Sequence, residues 1–145
     1  MNDSTLSKIE YYLSKYELLD YRIEELKLDI IDSEYNQSYN RYISNKSSSL
    51  EDQVIHNINI KKKIEKLAKW KKLITKVLVH YKKSEKIKYK FIVLKYFNKE
   101  DTKTIEEQLK LSYKEQKMLK NEILEYIFCL AIKNNMLHRE TEVNC

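Results

Sequence analysis

The chain has no glycine and no proline, where average usage would place roughly 10 of the first and roughly 7 of the second. Sheets and tight turns draw on those residues for unusual backbone angles, whereas helix interiors exclude them. Their absence, beside abundant Lys, Glu, Leu and Ile, predicts an all-α fold. It also excludes chemistry that needs glycine: no Walker or dinucleotide-binding loop can cradle phosphates, and no strained G-x-S-x-G elbow can form. No apolar run in the sequence reaches the about 18 residues that span a membrane. The polar start Met1-Asn2-Asp3-Ser4 does not resemble a secretory signal. Cys129 and Cys145 form no C-x-x-C pair, so reduced thiols in a cytoplasm are expected, with Cys129 in a buried structural role. His56, His80 and His138 are isolated, without metal-ligand spacing. The paired acids Glu24-Glu25 and Glu106-Glu107 diverge by about 100° on a helix, so they do not converge on a substrate. A non-enzymatic, cytoplasmic protein without metal or cofactor is the expectation.

Charge is present in quantity and unevenly placed. The net charge is +6, yet residues 1–60 hold 6 basic and 11 acidic side chains, a net of −5. Residues 61–95 hold 14 lysines against Glu65 and Glu85, a net of +12, and residues 96–145 are close to neutral at −1. A basic block of that density points to a polyanionic partner. A solvated lysine face would give the same composition.

Apolar residues recur at Leu6, Ile9, Leu13, Tyr16, Leu19, Ile23, Leu26 and Ile30, in steps of three or four. That spacing predicts one long helix over 1–33, with a seam close to that of a coiled coil. The stretch 34–49 (EYNQSYNRYISNKSSS) loses the period and ends in serines, so it reads as a linker. A second long helix is expected over 50–83 with Ser49 as its cap, its stripe formed by Leu50, Val54, Ile58, Ile64, Leu67, Ile74, Val77 and Tyr81 and widened by Trp70 and Leu73. The two long helices could form an antiparallel hairpin or pair with a second copy, and their opposite charges favour the hairpin. A tail over 138–145 is expected to be disordered.

Residues 84–137 carry the functional pattern. A compact apolar helix ends in Phe91–Phe97, and a polar turn covers Asn98–Thr104. A short helix through Ile105 and Leu109 is opened by Asp101, Thr102 or Thr104. Lys110-Leu111 turn the chain, and Ser112-Tyr113-Lys114-Glu115 has capping-box spacing for a last helix. This is the layout of a helix-turn-helix, with Ile105, Leu109, Leu111, Leu119, Ile123 and Ile127 as the lock. Stepping 100° per residue places Leu119, Ile123, Tyr126 and Leu130 inward. The expected DNA-facing set is Tyr113, Lys114, Gln116, Lys117, Lys120 and Asn121. Its lysines would meet phosphates, Asn121 an adenine, and Tyr113 a thymine methyl. Further phosphate contacts are expected from Thr102, Lys103, Thr104, Lys110, Ser112, Lys82, Lys83, Lys86, Lys88 and Lys90. Leu124, Phe128 and Ile132 continue along the other side of the last helix and must be covered, by the long helices or by a second subunit.

The segment FIVLKYFNKEDTKTIEEQLKLSYKEQKMLKNEIL resembles the C-terminal half of the RinA, ArpU and LtrC group of phage-type transcriptional regulators. That region is in turn similar to the fourth region of bacterial sigma factors. The resemblance rests on Phe91-Ile92, Tyr96-Phe97-Asn98, Ile105, Leu109, Leu111-Ser112, Leu119 and Ile123-Leu124, and it covers about residues 48–132. It implies control of late or packaging genes of a phage or mobile element, with double-stranded DNA as partner and RNA polymerase as a further one. The chain departs from many helix-turn-helices at Glu106, where a small residue is usual, at Lys110, where glycine is usual, and at Gln116, a half-inward position. Two other readings stay open: a DNA-packaging adaptor of the small-terminase type, and a helical protein-interaction module, an inhibitor or antirepressor, that has lost DNA binding.

Overall fold

Asn2 opens the first helix: its side-chain Oδ1 accepts a hydrogen bond from the Thr5 N–H at 2.8 Å, satisfying a donor that the helix itself leaves free. From there the computed structural model describes the backbone of residues 2–43 and 48–138, and the side chains of residues 2–35 and 50–138. Among these residues there is no strand, and the fold is all-α. The helices are α1 (Asp3–Lys15), α2 (Leu19–Ile43), α3 (Ser48–Ser84), α4 (Lys86–Ile92), α5 (Thr102–Leu109) and α6 (Tyr113–Lys133). No helix of the described residues is long and apolar enough to cross a membrane.

The single long helix expected over 1–33 is instead two. A 3₁₀ turn at Tyr16–Leu18 separates α1 from α2. At this tightened turn the Tyr16 ring stacks on Phe97 (5.5 Å between centroids, 17° between planes), and its hydroxyl lies 2.8 Å from Thr75 Oγ1. Apolar residues of the expected seam are buried on each side of the break, Ile9 and Leu13 in α1 and Leu19, Ile23, Leu26 and Ile30 in α2. α2 continues to Ile43 through much of the stretch read as a linker, and α3 begins at Ser48. Residues 44–47 and most of the expected disordered tail, 139–145, lie outside the described residues.

The chain divides into two compact units, one of residues 1–17 and 70–145, the other of residues 18–69. In the second unit, α2 and the first half of α3 share a small core of Leu26, Ile30 and Ile60, with Ile64 and Leu67 packed against it. The α3 stripe is rotated from its expected position. Val54 and Ile58 are exposed, while Asn57 and Ile60 are buried, and Asn57 Oδ1 has no hydrogen-bond partner among the described residues.

In the first unit, α1 packs on α6 and on the segment that follows α4. Trp70, only 1% exposed, stacks on Tyr12 at 4.5 Å with the rings nearly parallel (9°). A pair of this kind contributes about 0.5–1.5 kcal/mol beyond its buried area. Ile74, Val77, Tyr81, Phe91, Ile92, Ile105, Ile123 and Ile127 complete the interior. Cys129 was expected as a buried, reduced thiol; it is half-buried and disulfide-bonded.

α6 presents a different inner face from the one expected. Ile123, Leu124, Ile127, Phe128 and Ala131 are buried, whereas Leu119, Tyr126 and Leu130 are only partly so. The cause is that α6 is covered from several sides. α1 and α5 pack on it, and Tyr126 stacks on His80 and tilts against Tyr81, both from α3. Leu124 and Phe128 are each 1% exposed, so the chain itself covers the stripe that a second subunit was expected to share. Leu124 and Phe128 are thereby enclosed by the chain itself, whereas Ile132 is half-buried.

Candidate nucleic-acid interface

α5 starts where Asp101 Oδ1 accepts from the Thr104 N–H at 2.8 Å. Those hydrogen bonds from Thr104 hold the Asp101 carboxyl below its ordinary pKa. α5 ends at Lys110, which adopts a left-handed conformation (φ 59°, ψ 36°) and donates its N–H to the Glu106 carbonyl at 2.9 Å. Glycine is the usual residue at this cap; the chain makes the same turn with a lysine. Ser112 then caps α6. Its Oγ accepts from the Glu115 N–H (3.2 Å), the first half of the capping box predicted from the sequence, and its hydroxyl donates to Glu115 Oε1 (3.0 Å), so the carboxylate meets the Ser112 side chain in place of its backbone N–H. The result is a short helix, a three-residue turn and a long helix.

Gln116 locks these parts together. It was expected to face DNA, but it is only 6% exposed. Its Nε2 donates to the carbonyls of Thr102 and Leu111, each at 3.0 Å. One side chain thus bonds a carbonyl at the start of α5 and another in the turn, tying both to α6. Its burial and these two bonds remove it from the expected exposed set.

The other expected residues separate into free and engaged groups. Tyr113 (67% exposed), Lys114, Lys117 and Asn121 lie open on α6, as do Thr102, Lys103 and Lys110 before it. Lys82, Lys83, Lys86 and Lys90 are also exposed, with the Lys82 ammonium 5.7 Å from the centre of the Tyr89 ring. Lys120 is engaged: its Nζ pairs with Glu10 Oε1 of α1 at 3.2 Å, both side chains being about one-third exposed. Lys88 is engaged more fully, 14% exposed and bridged to Glu85 (2.9 Å) and Glu122 (3.2 Å). Burial works against its charge, but the bonds to those two carboxylates outweigh that and raise its pKa. Lys88 therefore ties α4 to α6 and is withdrawn from the phosphate-contact set. Ser112 and Thr104 are half-buried, and the Ser112 hydroxyl is committed to its cap.

Sequence reasoning missed Lys95 and Glu10. After α4 the backbone widens into a π-helical turn at Val93–Phe97, closed by the Asn98 N–H bonding to the Val93 carbonyl at 2.8 Å. Such turns recur at functional sites. Lys95, within it, is half-buried with its ammonium 5.9 Å from the ring centres of Phe91 and Tyr96. Burial and the nearby Lys120 charge lower its pKa against the opposing pull of Glu10. Glu10 also accepts from the Tyr96 hydroxyl at 2.9 Å. Burial first, then the Glu10 charge, push the Tyr96 phenol well above its ordinary pKa. Beside this cluster Phe91, Lys95, Thr102, Tyr113, Gln116, Lys117 and Lys120 line a recess of about 120 Å³. An apolar residue pattern cannot reveal such a recess, because it joins α4–π, α5 and α6 across long sequence distances.

Among the described residues no group of three or more His, Cys, Asp or Glu is placed to hold a metal ion. Comparison with family models, with curated proteins and with solved structures finds no match to this chain.

Proposed function

We propose that the chain is a DNA-binding protein that uses α6 as its recognition helix, in the manner of a transcriptional regulator of a phage or mobile element. The observation that carries this reading is the open first turns of α6. Tyr113, Lys114, Lys117 and Asn121 are solvent-facing there, on a helix whose start is fixed by the Ser112 cap and the Gln116 bonds. The N-terminal turns of a recognition helix are where base edges and phosphates are met. Lys103, Lys110, Lys82, Lys83, Lys86 and Lys90 supply further exposed positive charge for the backbone. The resemblance of residues 48–132 to RinA-type regulators, read from the sequence alone, points to the same class, with promoter DNA as ligand.

Gel retardation with DNA from upstream of the chain's own gene tests it. Binding at low salt is expected to weaken about 10³-fold or more between about 50 and about 200 mM salt, and Lys114→Glu with Lys117→Glu is expected to abolish it. Absence of retardation at low salt sinks the reading.

A second reading, a helical docking module, is favoured by a separate observation. In α2 and the turn before it Leu18, Tyr21, Leu28, Ile31 and Tyr35 are exposed, and in α3 Val54, Ile55 and Ile58, more apolar surface than a self-contained helix pair needs. On that reading the double lysine variant keeps biological activity, and Leu28→Asp with Ile31→Asp loses it.

A further inference from the structure

The recess beside α6 collects more positive charge than its surroundings neutralise. Lys95, Lys117 and Lys120 all line it, and the carboxylate acting on Lys95 and Lys120 is that of Glu10, already shared between Lys120 and the Tyr96 hydroxyl. Lys95 makes no ion pair among the described residues; its ammonium rests against two aromatic rings. Three ammonium groups against one carboxylate leave an excess of two positive charges. Thr102 and Tyr113 lie on the same wall and bring hydroxyl donors. Gln116 holds the wall in shape through the carbonyls of Thr102 and Leu111.

We propose that this recess is a binding site for a phosphoryl oxyanion, held by Lys95, Lys117 and Lys120 with hydroxyl donors from Thr102 and Tyr113. Size selects the class of ligand. A cavity of about 120 Å³ lies well below the roughly 300 Å³ at which pockets for whole drug-sized molecules begin, so it accepts one tetrahedral group and leaves any attached body outside. The charge excess matches a dianion, as carried by inorganic phosphate or a phosphate monoester. A duplex phosphodiester offers the same oxygens with a single charge. The pKa of Lys95, lowered first by burial and then by the Lys120 charge, agrees with this placement, because an arriving anion favours the ammonium form against both.

The test is titration of the full chain with inorganic phosphate against chloride at matched ionic strength, followed by amide and lysine side-chain NMR. Saturable shifts at Lys95, Tyr113 and Lys117 are expected. Lys95→Gln is expected to weaken the binding about tenfold, and Lys133→Gln, on an exposed residue away from the recess, to leave it unchanged. Lys117→Gln serves as a second variant, since an exposed side chain is not needed for folding. A parallel arm measures duplex DNA affinity. Loss of duplex affinity with Lys95→Gln assigns the oxyanion to DNA; loss of phosphate binding alone assigns it to a free phosphoryl ligand. No saturable phosphate shift, together with unchanged duplex affinity in Lys95→Gln, overturns the site while leaving the DNA-binding reading in place. Phosphate binding without any duplex retardation does the reverse.

Discussion

Tyr81 places a hydroxyl in the interior with no hydrogen-bond partner among the described residues. Burial raises its pKa well above the ordinary tyrosine value, and the charges of Glu85, Tyr126 and Glu122 push in the same direction. The Lys88 ammonium lies 5.4 Å from its ring centre. A buried donor left unpaired costs stability, and removing it along with its polarity does not. Tyr81→Phe is therefore expected to leave stability at neutral pH unchanged or to raise it by up to about 1 kcal/mol, measured by chemical denaturation. Because the folded state keeps the Tyr81 and Tyr96 protons above the unfolded pKa of about 10, the unfolded chain binds fewer protons there, and stability falls as pH rises past that value. Tyr81→Phe should make that alkaline fall shallower. A variant that unfolds along the same alkaline curve as the parent refutes the assignment. Tyr96 behaves differently, since its hydroxyl donates to Glu10 and its removal breaks a bond.

At the scale of elements, a chain without glycine must still turn, and it does so with Lys99, Lys110 and Asn135 at positive φ. The left-handed conformation costs a residue with a Cβ about 1–2 kcal/mol, part of which glycine would return as unfolded-state entropy. Lys110→Gly is expected to raise the unfolding free energy by about 0.5–1 kcal/mol, measured by chemical denaturation; a destabilised variant contradicts this account of the turn. The start of α6 at Ser112 was legible because capping is local, and Asp101 was one of three residues offered for α5; each cap acts within four residues. The inner face of α6 was not, because helical stepping assumes a single covering surface and α1, α3 and α5 all contribute here. The engagement of Lys120 and Lys88 was hidden for a related reason. Their partners Glu10 and Glu122 lie far away in sequence, and no local pattern distinguishes a paired lysine from a solvated one. Nor did the sequence pattern announce the break at Tyr16–Leu18, where the apolar spacing runs on undisturbed.

For the whole molecule, the two compact units are unequal in what holds them. Among the described residues, the unit of residues 18–69 buries Leu19, Ile23, Leu26, Ile30 and Ile60, with Ile64 and Leu67 partly buried and the amide of Asn57 enclosed without a partner for its oxygen. The other encloses Trp70, Tyr81, Phe91, Phe128 and many aliphatic side chains. Local opening follows such differences in buried apolar contact. Native-state hydrogen exchange should show the amides of residues 19–35 and 50–67 exchanging faster than those of residues 86–92 and 113–133, and uniform protection counts against that division. The all-α class and the helix-turn-helix spacing could be read from the residues alone. The assembly of the unit could not, because it draws α1 into the same body as residues 70–145, across a gap in sequence that composition does not mark.

Trp70 is the only indole in a chain with twelve tyrosines, and it lies flat against one of them, Tyr12 of α1. Ultraviolet energy absorbed by the phenols nearby drains toward that one chromophore, whose emission colour depends on whether water reaches it. The molecule therefore carries its own optical gauge of the seating of α1, readable without any attached dye.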